Sequence, residues 1–302
     1  MATFATLLAS ATKRLSAANL PDAPREARLL LQHAAGMDNT RLLLAENEPA
    51  SRSAATLYET FIARRLNREP VFRIIGKREF HGMDFLLNAD TLEPRDDTET
   101  LVETVLARID DRSAPLRFAD LGTGTGIIAL ALLAELPNAT ATATDISENA
   151  LVAAQNNAKS LGLAERFCVQ QGPWLKPLVD RFDFIVSNPP YIPSPIVDEL
   201  DPEVLHHDPR RALDGGKDGL DAYRAILRDA ATHLSANGFL AIEIGYDQKE
   251  DVTRLAQHHG WQSIAAAQDL NGADRVLIFT PHLGATSWGV NGLNGNNLHV
   301  RA

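Results

Sequence analysis

The sequence predicts an α/β protein, with a mostly parallel sheet covered by helices on both faces and preceded by a small bundle of helices. Three observations predict it. From Asp97 onward, short apolar strand candidates alternate with helical stretches, the order that buries a parallel sheet between two helical layers. Residues 1–69 repeat leucine and alanine at helical spacing with no strand pattern. Between the two regions, Arg78-Glu79-Phe80, the turn His81-Gly82 and Met83-Asp84-Phe85-Leu86-Leu87 read as a hairpin.

The elements follow in order. Helices are expected over 3–17, over Ala23–Ala35 with Asp22 as its cap and Gly36 as its stop, over Thr40–Glu46, and from Ser51 to just before Pro70. After the hairpin comes a helix over 97–109. Strands near 117–120, 140–145, 166–170, 182–187 and 239–245 then alternate with helices near 126–136, 147–161, 217–235 and 248–259, and apolar stretches at 261–267 and 275–280 suit a closing antiparallel hairpin. The expected division is a bundle over 1–75, a hairpin linker over 76–90, an α/β domain over 91–282 and a disordered tail over 283–302, which holds four glycines and four asparagines without a period.

Composition excludes several classes. With 302 residues, 45% of them hydrophobic, the chain can bury a sizeable core. Its net charge of −10 makes it a poor general binder of nucleic acid. Residues 1–75 hold ten Lys and Arg against seven Asp and Glu, so the bundle is mildly basic and the remainder carries −13. A single cysteine, Cys168, rules out an internal disulfide and a multi-cysteine zinc site, and its place in a strand candidate suggests an inert buried thiol. His206-His207-Asp208 does not suit a metal, because adjacent histidines point in different directions; no metal is expected. No apolar run is long enough to span a membrane, and a cytoplasmic protein is expected. The acid-free first 21 residues, with Lys13 and Arg14, faintly resemble a transit peptide, but a first bundle helix accounts for them better.

The chemistry is written at strand ends. Asn188-Pro189-Pro190-Tyr191 follows the apolar run 182–187. The prolines fix φ and offer carbonyls without N–H donors, Asn188 adds a side-chain amide, and Tyr191 adds a flat apolar face. Such a pocket suits a planar –NH2 group, whose hydrogens can bond the Asn188 oxygen and the Pro189 carbonyl while the nitrogen lone pair stays available. A glycine-rich turn, Leu121-Gly122-Thr123-Gly124-Thr125-Gly126, joins a strand ending in Asp120 to a helix. Its glycines do not fall on the dinucleotide fingerprint, and it lacks the Lys-Ser/Thr ending of a phosphate-binding loop. An acidic residue ahead of the glycines repels phosphate and attracts a cation, which points to S-adenosylmethionine, with its ammonium and sulfonium. Asp145, at the next strand end, can accept from ribose hydroxyls, although taken alone it could cap the helix that Ser147 and Glu148 begin. Trp174, after the strand near 166–170, can pack on an adenine or simply fill the core. Arg95 and Glu99 either help close the site or pair at the surface. These loops all leave the carboxyl ends of strands, where open α/β sheets bind ligands.

These residues resemble the protein-(glutamine-N5) methyltransferases of the HemK/PrmC type, which methylate the glutamine of the Gly-Gly-Gln motif in bacterial class 1 release factors. The likeness spans residues 1 to about 281 and is carried by Arg78–Phe80, Pro94–Glu99, Asp120–Gly126, Asn188–Tyr191, Asp208–Leu213 and Gly215–Leu220. It implies a seven-stranded, Rossmann-like class I methyltransferase domain behind a helical bundle and a hairpin linker. It implies that Gly122, Thr123, Gly124, Thr125, Gly126, Asp145, Trp174 and Asn188 contact S-adenosylmethionine, and that Asn188, Pro189, Pro190 and Tyr191 form the catalytic glutamine pocket. It implies release factors as protein partners, recognised in part by the bundle. The chain departs from the family where Asp96 replaces a usual Pro, Pro173 a frequent Asp and Asp208 a Glu. Two other readings share the motifs. An amino-methyltransferase acting on a nucleic-acid base uses the same planar amine, but the −13 beyond residue 75 disfavours a docked polyanion. A cofactor-binding scaffold without catalysis would have no need of an intact Asn188–Tyr191.

Overall fold

The structure, a computed structural model, describes residues 2–282. Its first part is the expected bundle, with five helices: α1 (Phe4–Ala17), α2 (Ala23–Ala35), α3 (Asn39–Leu44), α4 (Arg52–Leu66) and α5 (Val71–Ile75). Thr3, Asp38 and Ser51 cap α1, α3 and α4 through their side-chain oxygens. Asp22 does not cap α2: it sits in the left-handed region at φ 50°, and its carboxylate makes no capping bond. Proline at the first turn of α2 already removes one unpaired N–H, which lessens the need for a cap. Leu15, Leu30, Leu31, Tyr58 and Ile62 are fully buried at the bundle centre, where Tyr58 Oη donates to the Ala27 carbonyl at 3.0 Å. The short α5 was not expected after Pro70; a proline that ends one helix can also stand at the start of the next, as Pro70 does here.

The hairpin β1 (Lys77–Phe80) and β2 (Met83–Leu86) turns through His81 and Gly82, both at positive φ as a two-residue hairpin turn requires. Phe80 and Phe85 bury their rings in the core of the following domain. A 3-10 turn (Asp96–Thr98) leads into α6 (Glu99–Leu106). There follow β3 (Arg117–Leu121), α7 (Ile127–Glu135), β4 (Thr140–Asp145), α8 (Glu148–Ser160), β5 (Phe167–Gln171), β6 (Phe182–Ser187), α9 (Ser194–Val197), α10 (Pro202–His207), α11 (Asp221–Asp229), β7 (Leu234–Glu243), α12 (Lys249–His258), β8 (Trp261–Gln268) and β9 (Asp274–Pro281).

The seven strands order as β5-β4-β3-β6-β7-β9-β8, with β3 to β7 parallel and β9 antiparallel to both neighbours. This is the α/β architecture expected. One face packs Phe118, Phe184 and Phe239 as a stack, with ring centroids 4.7 and 5.4 Å apart. The other packs Ile185, Tyr223 and Trp261. The chain runs outward from β3 to β5 and returns to β6 on the other side of β3, so the crevice beyond β3 and β6 is the topological switch point.

Two further expectations are corrected. Cys168 is exposed rather than buried, because β5 is an edge strand and the residue faces away from the covered side. The stretch 217–235 is only partly helical: α11 spans Asp221–Asp229, a 3-10 turn covers Ala230–His233, and β7 starts at Leu234. The reading of 283–302 as a disordered tail lies outside the described residues. Among the described residues, no helix is long and apolar enough to cross a membrane.

Candidate active site

Strand register builds the site. Leu121 pairs with Thr144 on one side and with Ser187 on the other, Asp145 pairs with Gln171, and Ser187 pairs with Ile242. Gly122, Asp145, Asn188 and Glu243 therefore stand level at the carboxyl ends of four adjacent strands, with Gly172 one step beyond the fifth. A cleft opens above this row. Its walls include Gly122 to Thr125, Asp145, Ile146, Trp174, Asn188 and Pro190, and across from them Asp90 to Arg95, Thr98, Arg211 and Ala212. Gly126, Pro189 and Tyr191 stand beside it and do not line it.

The glycine turn spends its N–H groups on the protein. Gly122 and Thr123 donate to the Thr144 carbonyl at 2.8 and 2.9 Å, and Gly126 donates to the Thr123 carbonyl at 2.8 Å. Gly124 donates to Asp145 Oδ2 at 3.0 Å. An anion-cradling loop keeps such donors for its ligand; this one keeps few, and Asp145 stands on its cleft side. A Cβ at Gly124 (φ 56°) would meet nothing within 4 Å, so its open side faces the cleft. At Gly126 (φ 84°) a Cβ would press on Leu130 and Ala154 at 3.1 and 3.2 Å, so that glycine serves the packing of α7 on α8.

Asp120 is fully buried under the turn. Its Oδ2 accepts from Thr123 Oγ1 at 2.6 Å, and its Oδ1 has no partner among the described residues. Burial pushes its pKa up to about 7, against the Thr123 hydrogen bond. Asp145 Oδ1 accepts from Ser147 N at 2.9 Å. The carboxylate thus ties the turn to the start of α8 and retains lone pairs on the cleft side, while Ser147 is the helix cap. Exposed Ile146 gives the cleft an apolar wall facing Trp174. Trp174 stands at φ 51°, and its carbonyl accepts from Thr144 Oγ1 at 2.8 Å, which pins the ring beside Gly122.

On the other side of the switch point, Asn188 Nδ2 donates to Thr98 Oγ1 at 3.1 Å. That bond orients the amide and leaves Oδ1 for another donor. Pro189 is buried. Tyr191 is half-buried, burial pushes its phenol up to about 12, and its carbonyl accepts from Gln248 Nε2 at 2.9 Å. Glu99 does not close the cleft: its Oε1 accepts from His81 N at 2.7 Å and holds the hairpin turn. Arg95 does stand at the cleft, where its guanidinium donates to Asp208 Oδ2 at 2.7 Å. The sequence reading did not single out Thr98, Arg211 or Glu243. Thr98 and Arg211 lie inside the Pro94–Glu99 and Asp208–Leu213 motifs; Glu243 carries no local signal, because sheet register alone brings it here.

A relative from Agrobacterium fabrum, called release factor glutamine methyltransferase, is 46% identical over 92% of this chain and 97% of its own length. The chain belongs to the release factor glutamine methyltransferase family. A second member, from Rhodospirillum rubrum, is 44% identical over 88% of this chain and 81% of its own length. The family model for the PrmC N-terminal domain matches residues 6–76, and that for the methyltransferase small domain matches residues 96–200. A solved methyltransferase from Pyrococcus furiosus covers 73% of this chain and 98% of its own, with 18% identity and a TM-score of 0.50, a likeness of fold alone. In this member of the release factor glutamine methyltransferase family, the first matched segment reaches the cleft's approach: Arg73 of α5 donates to Asp208 Oδ1 at 2.7 Å, next to the Arg95 bond.

Proposed function

We propose that this enzyme transfers a methyl group from S-adenosylmethionine to the side-chain amide nitrogen of the glutamine in the Gly-Gly-Gln motif of class 1 release factors. One observation carries the reading: Asn188 and Pro190 share a cleft with Gly122 to Thr125 and Asp145, on the carboxyl edge of the sheet. The donors present fit the cofactor. A turn with few free N–H groups, flanked by Asp120 and Asp145, favours a cation over a phosphate, and Ile146 with Trp174 offers apolar walls for a base. When bound, S-adenosylmethionine supplies a sulfonium methyl as the electrophile.

The protein's task is then to prepare a weak nucleophile, since an amide lone pair is delocalised into its carbonyl. Asn188 Oδ1 accepts one N–H bond of the glutamine amide from the cleft wall, and the Pro189 carbonyl, which stands beside the cleft lining, accepts the other. They hold the nitrogen in near-attack geometry and stabilise the positive charge that grows on it. Transfer would form the N–C bond as the sulfonium's S–C bond breaks, with that electron pair left on the neutral thioether, and the methylated nitrogen would then give one proton to water, leaving the neutral N-methyl amide. Among the described residues no Cys, His or Lys lines the cleft, which agrees with direct transfer. A cytoplasmic location goes with such a substrate. The test is mass spectrometry of purified release factor incubated with enzyme and cofactor: the peptide holding the Gly-Gly-Gln glutamine should gain the mass of one methylene. Transfer of tritiated methyl to nucleic acid alone would sink the proposal.

A further inference from the structure

Glu243 ends β7, level with Asn188 at the end of β6. It is 1% exposed, and its Oε2 makes no hydrogen bond among the described residues. A buried carboxyl oxygen without a partner is costly and marks a place where something is expected to use it. The groups facing it come from every neighbouring element: Asp97 and Thr98 from the turn before α6, Asn188 and Tyr191 after β6, Tyr223 from α11 and Arg275 from β9. Thr98 already takes one hydrogen of Asn188 Nδ2, and the other hydrogen has Glu243 beside it.

We infer that Glu243 is a positioning residue for methyl transfer: its carboxylate takes the second Asn188 Nδ2 hydrogen, fixing Oδ1 toward the cleft and drawing electron density onto it. The inference rests on the proposed role of Asn188 as acceptor of the substrate amide. A charge-assisted bond at one end of an amide strengthens the acceptor at the other, and more so in a dry interior. The carboxylate also places negative charge near the nitrogen that becomes positive. Burial pushes Glu243 up to about 7; Thr98, Arg275 and Asn188 favour its charged form and Asp97 opposes it. The ionised fraction, and with it the turnover rate, should therefore fall as pH drops through about 7.

The test uses the full chain with release factor at saturating S-adenosylmethionine. Glu243→Gln keeps an acceptor but loses the charge. It should bind cofactor as wild type does, lose roughly tenfold to a hundredfold in kcat with KM little changed, and lose the acid limb of the kcat profile. Thr98→Val removes the companion anchor and, with it, a hydroxyl that favours the charged carboxylate; it should lower kcat and keep the acid limb, moved to higher pH. Wild-type kcat in either soluble variant, or an unchanged acid limb in Glu243→Gln, overturns the inference. If the wild-type enzyme methylates only a nucleic-acid amine, the glutamine reading fails by itself, and the same variants are scored on that amine.

Discussion

Asn188 can offer its oxygen to a substrate only because its nitrogen is occupied by Thr98 at 3.1 Å. Asn188→Ala removes the acceptor and leaves the glycine turn and Asp145 in place. The variant should keep most of its cofactor affinity and lose about 3 kcal/mol of transition-state stabilisation, measured as kcat on release factor beside a binding isotherm. Asp120 makes a different prediction, about pH. Its pKa is raised from 3.8 to about 7 by burial, so between those values the folded state holds a proton that the unfolded state has released. Stability of the cofactor-free protein is then highest below the lower value and falls as pH rises toward 7. Asp120→Asn removes this loss and should raise the thermal midpoint relative to wild type at alkaline pH, by up to about 4 kcal/mol in unfolding free energy. The same substitution should weaken cofactor binding, because an ionised Asp120 suits an ammonium. A midpoint difference between the two proteins that does not change with pH would count against the raised pKa.

Elements were legible where local chemistry decides them. The strands at 117–121, 140–145 and 182–187 could be read because buried parallel strands are short apolar runs bounded by turns. The glycine turn and Asn188 could be read because their residue types have few other uses. The misses share a cause, which is information held outside the segment. Cys168 is exposed because β5 has a neighbour on one side only. The helices at Ser194–Val197 and Pro202–His207 each carry proline in their first turn, which reads as a break when no partner surface is in view. Glu243 joins the site through pairing of β7 with β6, beyond the reach of any local pattern. Gly126 shows the converse, a motif residue whose role is packing. Gly126→Ala combines a left-handed backbone with a Cβ pressed on Leu130 and Ala154, and it should cost about 1–3 kcal/mol of stability by denaturant titration. A loss of cofactor affinity at full stability would instead make it a ligand contact.

At the scale of the molecule, one carboxylate joins the bundle to the cleft. Asp208, its side chain 4% exposed, accepts from Arg73 of the bundle and from Arg95 at the cleft, both at 2.7 Å, and from Glu93 N at 3.2 Å. Arg73 also donates to the carbonyls of Asn88 and Thr91, so the loop 88–95 is clasped between the two parts. Arg65 provides a second tether, to Glu26 within the bundle and to Glu203 on α10. The two tethers differ in burial, and that sets their worth. Glu203 is 26% exposed and Arg65 keeps Glu26 without it, so Glu203→Gln should cost under about 1 kcal/mol. Asp208→Asn leaves the almost buried Arg73 guanidinium facing an amide that can accept at one end and repels donors at the other. It should cost about 3–5 kcal/mol, the usual penalty for stripping one partner from a buried pair. Because a bundle that rocks against the cleft misplaces a protein substrate more than a small cofactor, KM for release factor should rise further than the dissociation constant for S-adenosylmethionine. Thermal denaturation with paired substrate and cofactor titrations checks both parts; an Asp208→Asn protein as stable as wild type would mean that the Asn88 and Thr91 bonds, the Arg65 tether and packing hold the two domains together.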